Sequence, residues 1–227
     1  MSRLKRIAAP ASWPIQRKEH KYIAKPMPGP HSLETSLPLG VILRDLMKRT
    51  HIARETKKIL HDGNVLVNGI ARKEERFPVG LFDIIAIPKT NDYYTIHYNT
   101  KGKFVLVQIE KEHAAERLCR IRNKTTLKKN LTQLNLYDGT SILADKKDYK
   151  PGDSILLSAG KIKKHLKLEK GAIIYLTGGK HVGETAVLES IHVSEGITPN
   201  KMTLKMGDKK IETIQDYAYV IEKEIKR

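Results

Sequence analysis

Residues 62–72 hold the feature that constrains this chain most: Asp62-Gly63, then Val65-Leu66-Val67, Asn68-Gly69 and Ile70-Ala71-Arg72. Asn-Gly is the strongest short-range hairpin signal, because both residues tolerate positive φ, so two strands must meet across it. Val65 and Val67 share one side of the incoming strand and give the hairpin a face to bury. Upstream the period changes to that of a helix. Leu39, Ile42, Leu43, Leu46 and Met47 line one side of a first helix, leaving Arg44, Asp45 and Lys48 opposite. Ile52, Thr56, Ile59 and Leu60 repeat the pattern in a second, which Gly63 is placed to end. Asp83-Ile84-Ile85-Ala86-Ile87 supplies a third strand. Two helices and a small sheet result, with Arg44, Lys48, Arg49, Arg54, Lys57, Lys58 and the hairpin's Arg72 and Lys73 on polar sides.

Those cations belong to a general excess. The 227 residues carry 42 Lys and Arg against 25 Asp and Glu, a net charge of +17. Such a surplus favours a polyanionic partner. Forty per cent hydrophobic residues suffice for packed cores, which argues against a disordered basic tail. Cys119 is the only cysteine, so no internal disulfide or cysteine-rich zinc site is possible, and a reducing compartment is the natural setting. Near the N-terminus the apolar cluster Ile7-Ala8-Ala9 is cut short by Pro10, far below the length of a membrane span or signal core. A cytoplasmic protein is expected.

The spacing of turns divides the chain into four parts. Residues 1–37 read as a basic, proline-punctuated arm in which Arg3, Lys5, Arg6, Arg17, Lys18 and Lys21 are placed to neutralise phosphates. Free in solution, much of it should be mobile. Trp13 either stacks on bases or packs back on its own protein. Residues 38–92 form the two-helix platform. Residues 93–168 read as a mainly β central domain, with strands at 94–98, 104–109, 118–121, 133–137 and 154–157 and a helix over 110–117. Residues 169–227 form a C-terminal β domain. Lys161, Lys163 and Lys164, in the dense run before it, are either a solubilising surface or a second RNA contact.

Three resemblances refine this division. Ile52 to Leu60, then Gly63-Asn64-Val65-Leu66-Val67-Asn68-Gly69, then Val79 to Ile85, resemble the S4-type RNA-binding domain, although where that superfamily often has Gly-Asp directly before the last strand this chain has the longer turn Gly80-Leu81-Phe82-Asp83. Lys170 to Leu188 resembles the KOW motif, a strand-loop-strand unit of a small SH3-like barrel, in which Gly183 permits a tight loop and Lys180 and His181 reach phosphates. Leu4 to Pro10 with Ser12-Trp13, Pro26 to His31, Tyr98 to Phe104, Leu118 to Ile121 and Asp138-Gly139-Thr140 look like the S4e family of small-subunit ribosomal proteins, in its archaeal form. The resemblance implies an α+β multidomain protein that binds 16S rRNA beside neighbouring small-subunit proteins. It further implies a structural, non-catalytic role in the cytoplasmic ribosome, a monomer outside it, and no cofactor, membrane or small-molecule substrate.

Other chemistry finds no support in the residues. Gly178-Gly179-Lys180 is not a phosphate-binding P-loop, because Ile174 and His181 occupy the positions that require glycine and Ser or Thr. The nine histidines are scattered without a metal-binding spacing. Cys119 lies among apolar neighbours, as a structural thiol does. Two alternatives remain at this level: an RNA-modifying enzyme that carries an S4-type guide, and a KOW-type transcription factor. The first needs a large catalytic domain after Lys89, and the second a polymerase-binding domain.

Overall fold

Asn68 and Gly69 both take left-handed conformations, with φ of 52° and 79°, so the hairpin closes through the two-residue turn that matches the twist of its strands. Leu66 pairs with Ala71 and Val67 with Ile70. The computed structural model in which this is seen describes residues 4–128, 131–144, 148–158, 160–194, 196–207 and 209–222; Arg3 lies outside them. Helix is scarcer than the α+β expectation: beyond single 3-10 turns, the described residues hold two helical segments against nineteen strands. The chain divides into two units, Met1–His97 with Lys103–Arg117, and Tyr98–Gly102 with Leu118–Arg227.

The first unit begins with the arm, which is folded. Strand β1 (Leu4–Lys5) pairs with β2 (Tyr22–Ile23), and β3 (Ser36–Pro38) pairs with β6 (Pro78–Gly80). Helix α1 (Leu39–Val41) runs on as a wider π-helical turn over Ile42–Leu46, in which Met47 N–H donates to Ile42 O at 2.9 Å. Lys48, at φ 53°, stops it in the left-handed conformation that helix ends usually give to glycine. Helix α2 (Ala53–His61) follows, buried through Thr56 and Leu60. Glu55 reaches back to the N–H groups of His51 and Ile52, at 2.9 and 3.4 Å, so it satisfies two donors ahead of the helix. Those bonds hold its carboxyl below the usual range.

A five-stranded sheet then forms in the order β5-β4-β7-β8-β9, from β4 (Leu66–Val67), β5 (Ile70–Ala71), β7 (Ile84–Ile87), β8 (Asp92–Tyr98) and β9 (Phe104–Gln108). Tyr94–Tyr98 and Phe104–Gln108, placed by the sequence at the start of a central domain, therefore extend the platform's own sheet, and the expected boundary at 92/93 falls inside β8. Leu37, Leu39, Ile42, Leu43, Leu60 and Ile85 are all buried. Each such side chain contributes roughly 1.5–3 kcal/mol by leaving water. No helix forms over 110–117; only a 3-10 turn at His113–Ala115 is seen, and Glu116 and Arg117 join a strand. A segment that short, with little but alanine to bury, cannot hold a helix against the pull of an adjoining strand.

One carboxylate organises the unit's centre. Asp83 is 3% exposed and accepts from Asn68 Nδ2 at 2.7 Å and Gly80 N–H at 2.8 Å, with His31 Nε2 of the arm 2.9 Å away. Burial alone would push this carboxyl up, but His31, Asn68 and Gly80 together outweigh it and hold it below the usual range. Phe82, directly before it, takes the left-handed conformation at φ 62°.

The second unit holds two five-stranded sheets. In the first, β10 (Glu116–Thr126), β11 (Thr132–Leu136), β12 (Ser141–Ala144), β13 (Ser154–Ser158) and β14 (Lys161–Leu166) lie in the order β12-β11-β10-β13-β14 over Cys119, Ile121, Leu134, Leu136, Ile155 and Leu157. Cys119 is buried, as its neighbours predict. In the second, β15 (Ile173–Leu176), β16 (Thr185–His192), β17 (Lys201–Met206), β18 (Lys209–Ile214) and β19 (Ala218–Ile221) lie in the order β18-β17-β16-β15-β19 over Ile174, Leu176, Leu188, Met202 and Leu204. Arg120, 3% exposed, donates to the carbonyls of Gln215 and Asp216 and stands over the rings of Tyr137 and Tyr219, 5.0 and 5.8 Å from their centroids. Burial raises the Tyr219 hydroxyl well above its ordinary pKa.

Candidate nucleic-acid interface

Helix α2 carries a regularly spaced set of cations. Arg54, Lys57, Lys58 and His61 fall at i, i+3, i+4 and i+7, all exposed, while Thr56 and Leu60 face the core. Lys57 is 3.6 Å from Glu75; Arg54 and Lys58 make no ion pair among the described residues. His61 was absent from the sequence-derived set, though its place seven residues after Arg54 continues the same stripe. The loop before the helix is held by a buried hydrogen bond between the Thr50 and Thr56 hydroxyls, 2.8 Å apart, which fixes exposed His51 relative to it.

Other expected contacts are drawn into pairs within the protein. Arg49 pairs with Asp92 at 2.5 Å and Arg44 with Asp45 at 2.9 Å. Arg72 is half-buried with its guanidinium carbon 4.4 Å from the centre of the Phe77 ring, while Lys73 beside it is exposed. In the arm the correction is larger. Trp13 is 1% exposed and lies in the core, so it cannot offer its ring to a base. Arg6 is 2% exposed and paired with Glu19 and Asp45 at 3.4 and 3.3 Å. Arg17 donates to the carbonyls of Ile7, Ala9 and Pro10 at 2.8–2.9 Å. Lys5, Lys18 and Lys21 remain exposed. The arm is thus folded back on the protein, its arginines satisfying backbone carbonyls and carboxylates that no regular structure satisfies there.

In the second unit Lys161, Lys163 and Lys164 lie on the edge strand β14, with Lys164 bonded to Glu222 at 2.5 Å. Exposed lysines on an edge also discourage pairing with another chain. The β15–β16 loop closes tightly: Gly183, at φ 78°, donates to Leu176 O at 2.8 Å, and a Cβ there would lie 2.6 Å from Asn99 O. Lys180 is exposed on this loop, whereas half-buried His181 sits 2.8 Å from Glu184. Among the described residues no cluster of His, Cys, Asp or Glu could hold a metal ion, and no helix is long and apolar enough to cross a membrane.

Known proteins give this architecture a family. The profile of the RS4NT (NUC023) domain matches residues 2–34, and that of the ribosomal family S4e matches residues 90–163. The small ribosomal subunit protein eS4 of Methanothermobacter thermautotrophicus is 42% identical over 97% of this chain and 92% of its own. That of Methanocella arvoryzae is 44% identical, over 97% and 94% respectively. The crystal structure of the 30S ribosomal protein S4e from Thermoplasma acidophilum superposes with a TM-score of 0.71 at 32% identity, covering 82% of this chain and 95% of that one. The chain therefore belongs to the S4e family of small-subunit ribosomal proteins, which are structural components and not enzymes.

Proposed function

We propose that this protein is a structural constituent of the small ribosomal subunit in the cytoplasm, holding 16S-type rRNA against its first unit, with neighbouring small-subunit proteins beside it. The observation that carries the reading is the exposed stripe of Arg54, Lys57, Lys58 and His61 on α2, opposite that helix's buried face. In this reading residues 39–87 act as an S4-type platform. Protein reads A-form helices mainly by shape and phosphate position, and a rigid helix with cations at i, i+3 and i+4 presents charge at a fixed spacing for that purpose. Lys5, Lys18 and Lys21 add charge from the arm, and Lys180, with the lysines of β14, from a KOW-like barrel and the sheet before it.

The test is the salt dependence of binding to a small-subunit rRNA fragment. Replacing Arg54 and Lys58 with glutamine should weaken binding and reduce the magnitude of the log-affinity versus log-salt slope by about one for each phosphate no longer bound, about two in all. An unchanged slope removes α2 from the interface.

A further inference from the structure

We infer that the open edge of strand β9 is a docking site for an extended, basic segment of a neighbouring small-subunit protein, which joins the sheet there as a further strand. The inference rests on the place in the small ribosomal subunit proposed above and adds to it a surface that holds protein rather than RNA.

β9 is the last strand of its sheet. A residue in a strand points its N–H and C=O toward one edge, and the next residue points them toward the other. Ile109 N–H donates to Tyr93 O of β8 at 2.9 Å, so Val105 and Val107 face β8 as well. Phe104, Leu106 and Gln108 therefore face away, and Phe104 N–H accordingly meets Ser12 O of the arm. On that side Leu106 and Gln108 have no backbone partner among the described residues. Such open groups are a template for another strand, and proteins usually blunt them with charged residues or by keeping the strand short. β14 carries Lys161, Lys163 and Lys164, β18 carries Lys209 and Lys210, and β5 is two residues long. β9 has none of these guards: it reads Phe-Val-Leu-Val-Gln, with Val105 38% exposed.

The charge beside this edge selects the partner. Directly after β9, Glu110 and Glu112 are exposed, make no ion pair among the described residues, and outnumber Lys111 between them. In a chain of net charge +17 this local acidity disfavours phosphate and attracts lysine or arginine. A cavity of about 540 Å³ opens at the same end of the strand, lined by Asn91, Tyr93, Gln108, Ile109, Glu110 and Lys111. The side-chain amides of Asn91 and Gln108 make no hydrogen bond among the described residues. Their oxygens and the Glu110 carboxylate can accept from a cationic head, while Tyr93 and Ile109 take its aliphatic stem. In strand addition the main-chain bonds supply affinity and pockets for alternate side chains supply specificity, and this edge offers both. A phosphate accepts from the N–H groups of Leu106 and Gln108 but offers nothing to their carbonyls, whereas a peptide backbone serves both.

The experiment uses the full chain, with amide hydrogen exchange read residue by residue. The probes are the peptides acetyl-Lys-Val-Lys-Val-Lys-amide and acetyl-Glu-Val-Glu-Val-Glu-amide and the rRNA fragment. At saturation the lysine peptide should slow exchange at Leu106 and Gln108 by about tenfold or more, and the glutamate peptide should not. In the intact small subunit, exchange over residues 104–109 should be slow compared with the free chain and with the chain on the rRNA fragment alone. Leu106→Pro should abolish the peptide's protection of Gln108 with a urea midpoint near that of the wild type, because proline is tolerated on an edge where the N–H faces outward. Val107→Pro, whose N–H faces β8, should lower the midpoint strongly. Equal protection by both peptides or by neither, fast exchange in the intact subunit, or a Leu106→Pro midpoint as low as that of Val107→Pro each overturns the inference. So does protection by the rRNA fragment alone, which would assign the edge to RNA. The platform fails separately: Arg54→Gln with Lys58→Gln would then leave the salt slope unchanged while the lysine peptide still protects β9.

Discussion

The arm and helix α2 read alike as sequence, two basic segments of a basic chain, and the structure turns their charges in opposite directions. On α2 the cations recur at the helical period and all face solvent. In the arm there is no period, and arginine and tryptophan turn inward: Arg6 and Trp13 are 2% and 1% exposed. Charge density alone therefore says little about which cations lie open to a partner. Periodicity says much more, because a helix with a buried face has only one other side on which to put its charges.

The contrast can be broken most sharply at Trp13. Trp13→Ala should cost about 3–5 kcal/mol in urea unfolding, as for other buried aromatic truncations; a cost below about 1 kcal/mol would mean that the arm is not part of the folded unit. Arg6→Ala should cost about 1.5–3 kcal/mol, the loss of a charge-assisted hydrogen bond from a buried guanidinium, since Asp45 keeps its pair with Arg44 and half-exposed Glu19 adds little. A surface cation would cost less than about 0.5 kcal/mol.

His97 extends the comparison to a buried group that burial keeps neutral. Burial lowers its pKa to about 4, with the Phe82 ring centre 5.2 Å away. The unfolded chain therefore binds the extra proton between pH 6.5 and 4, so stability is full above 6.5 and falls as the pH drops through that window. The decrease should be about 1.4 kcal/mol per pH unit, about 3 kcal/mol in all. Comparing melting curves of the wild type and His97→Phe over that range checks it; parallel curves would remove His97 as the cause. The smallest effect on stability belongs to the outward-facing set. Arg54→Gln with Lys58→Gln should shift unfolding by no more than about 0.5 kcal/mol while weakening RNA binding, and a large destabilisation would show these cations to be structural.

Much of the first unit was legible because its signals are local. Asn68-Gly69 specifies its own turn, and Thr56 and Leu60 mark the buried side of α2. What stayed hidden depends on partners distant in sequence. Nothing near Arg6 predicts Asp45, and nothing within β8 and β9 tells them to join the platform's sheet, a pairing that composition alone does not specify. The helix read over 110–117 failed for a related reason: Glu116 and Arg117 gain more from β10 than from a short helix. For the stripe on α2 the same periodicity that revealed Arg54, Lys57 and Lys58 also reaches His61. The cavity at the end of β9 had no signature, since Asn91 and Tyr93 meet Gln108 and Lys111 only in the fold.

Asp83 has a consequence for the order in which the chain becomes ordered during synthesis. His31 and Asn68 reach the outside of the translating ribosome before the carboxylate that joins them, and Phe104 N–H, which donates to Ser12 O at 2.9 Å, arrives later still. The arm's contacts with the rest of its unit therefore form only after it has emerged, although domains made early usually fold early. The bonds of Arg17 and the pairing of β1 with β2 need only the arm itself, whereas its closure onto the unit is timed by residues that follow it.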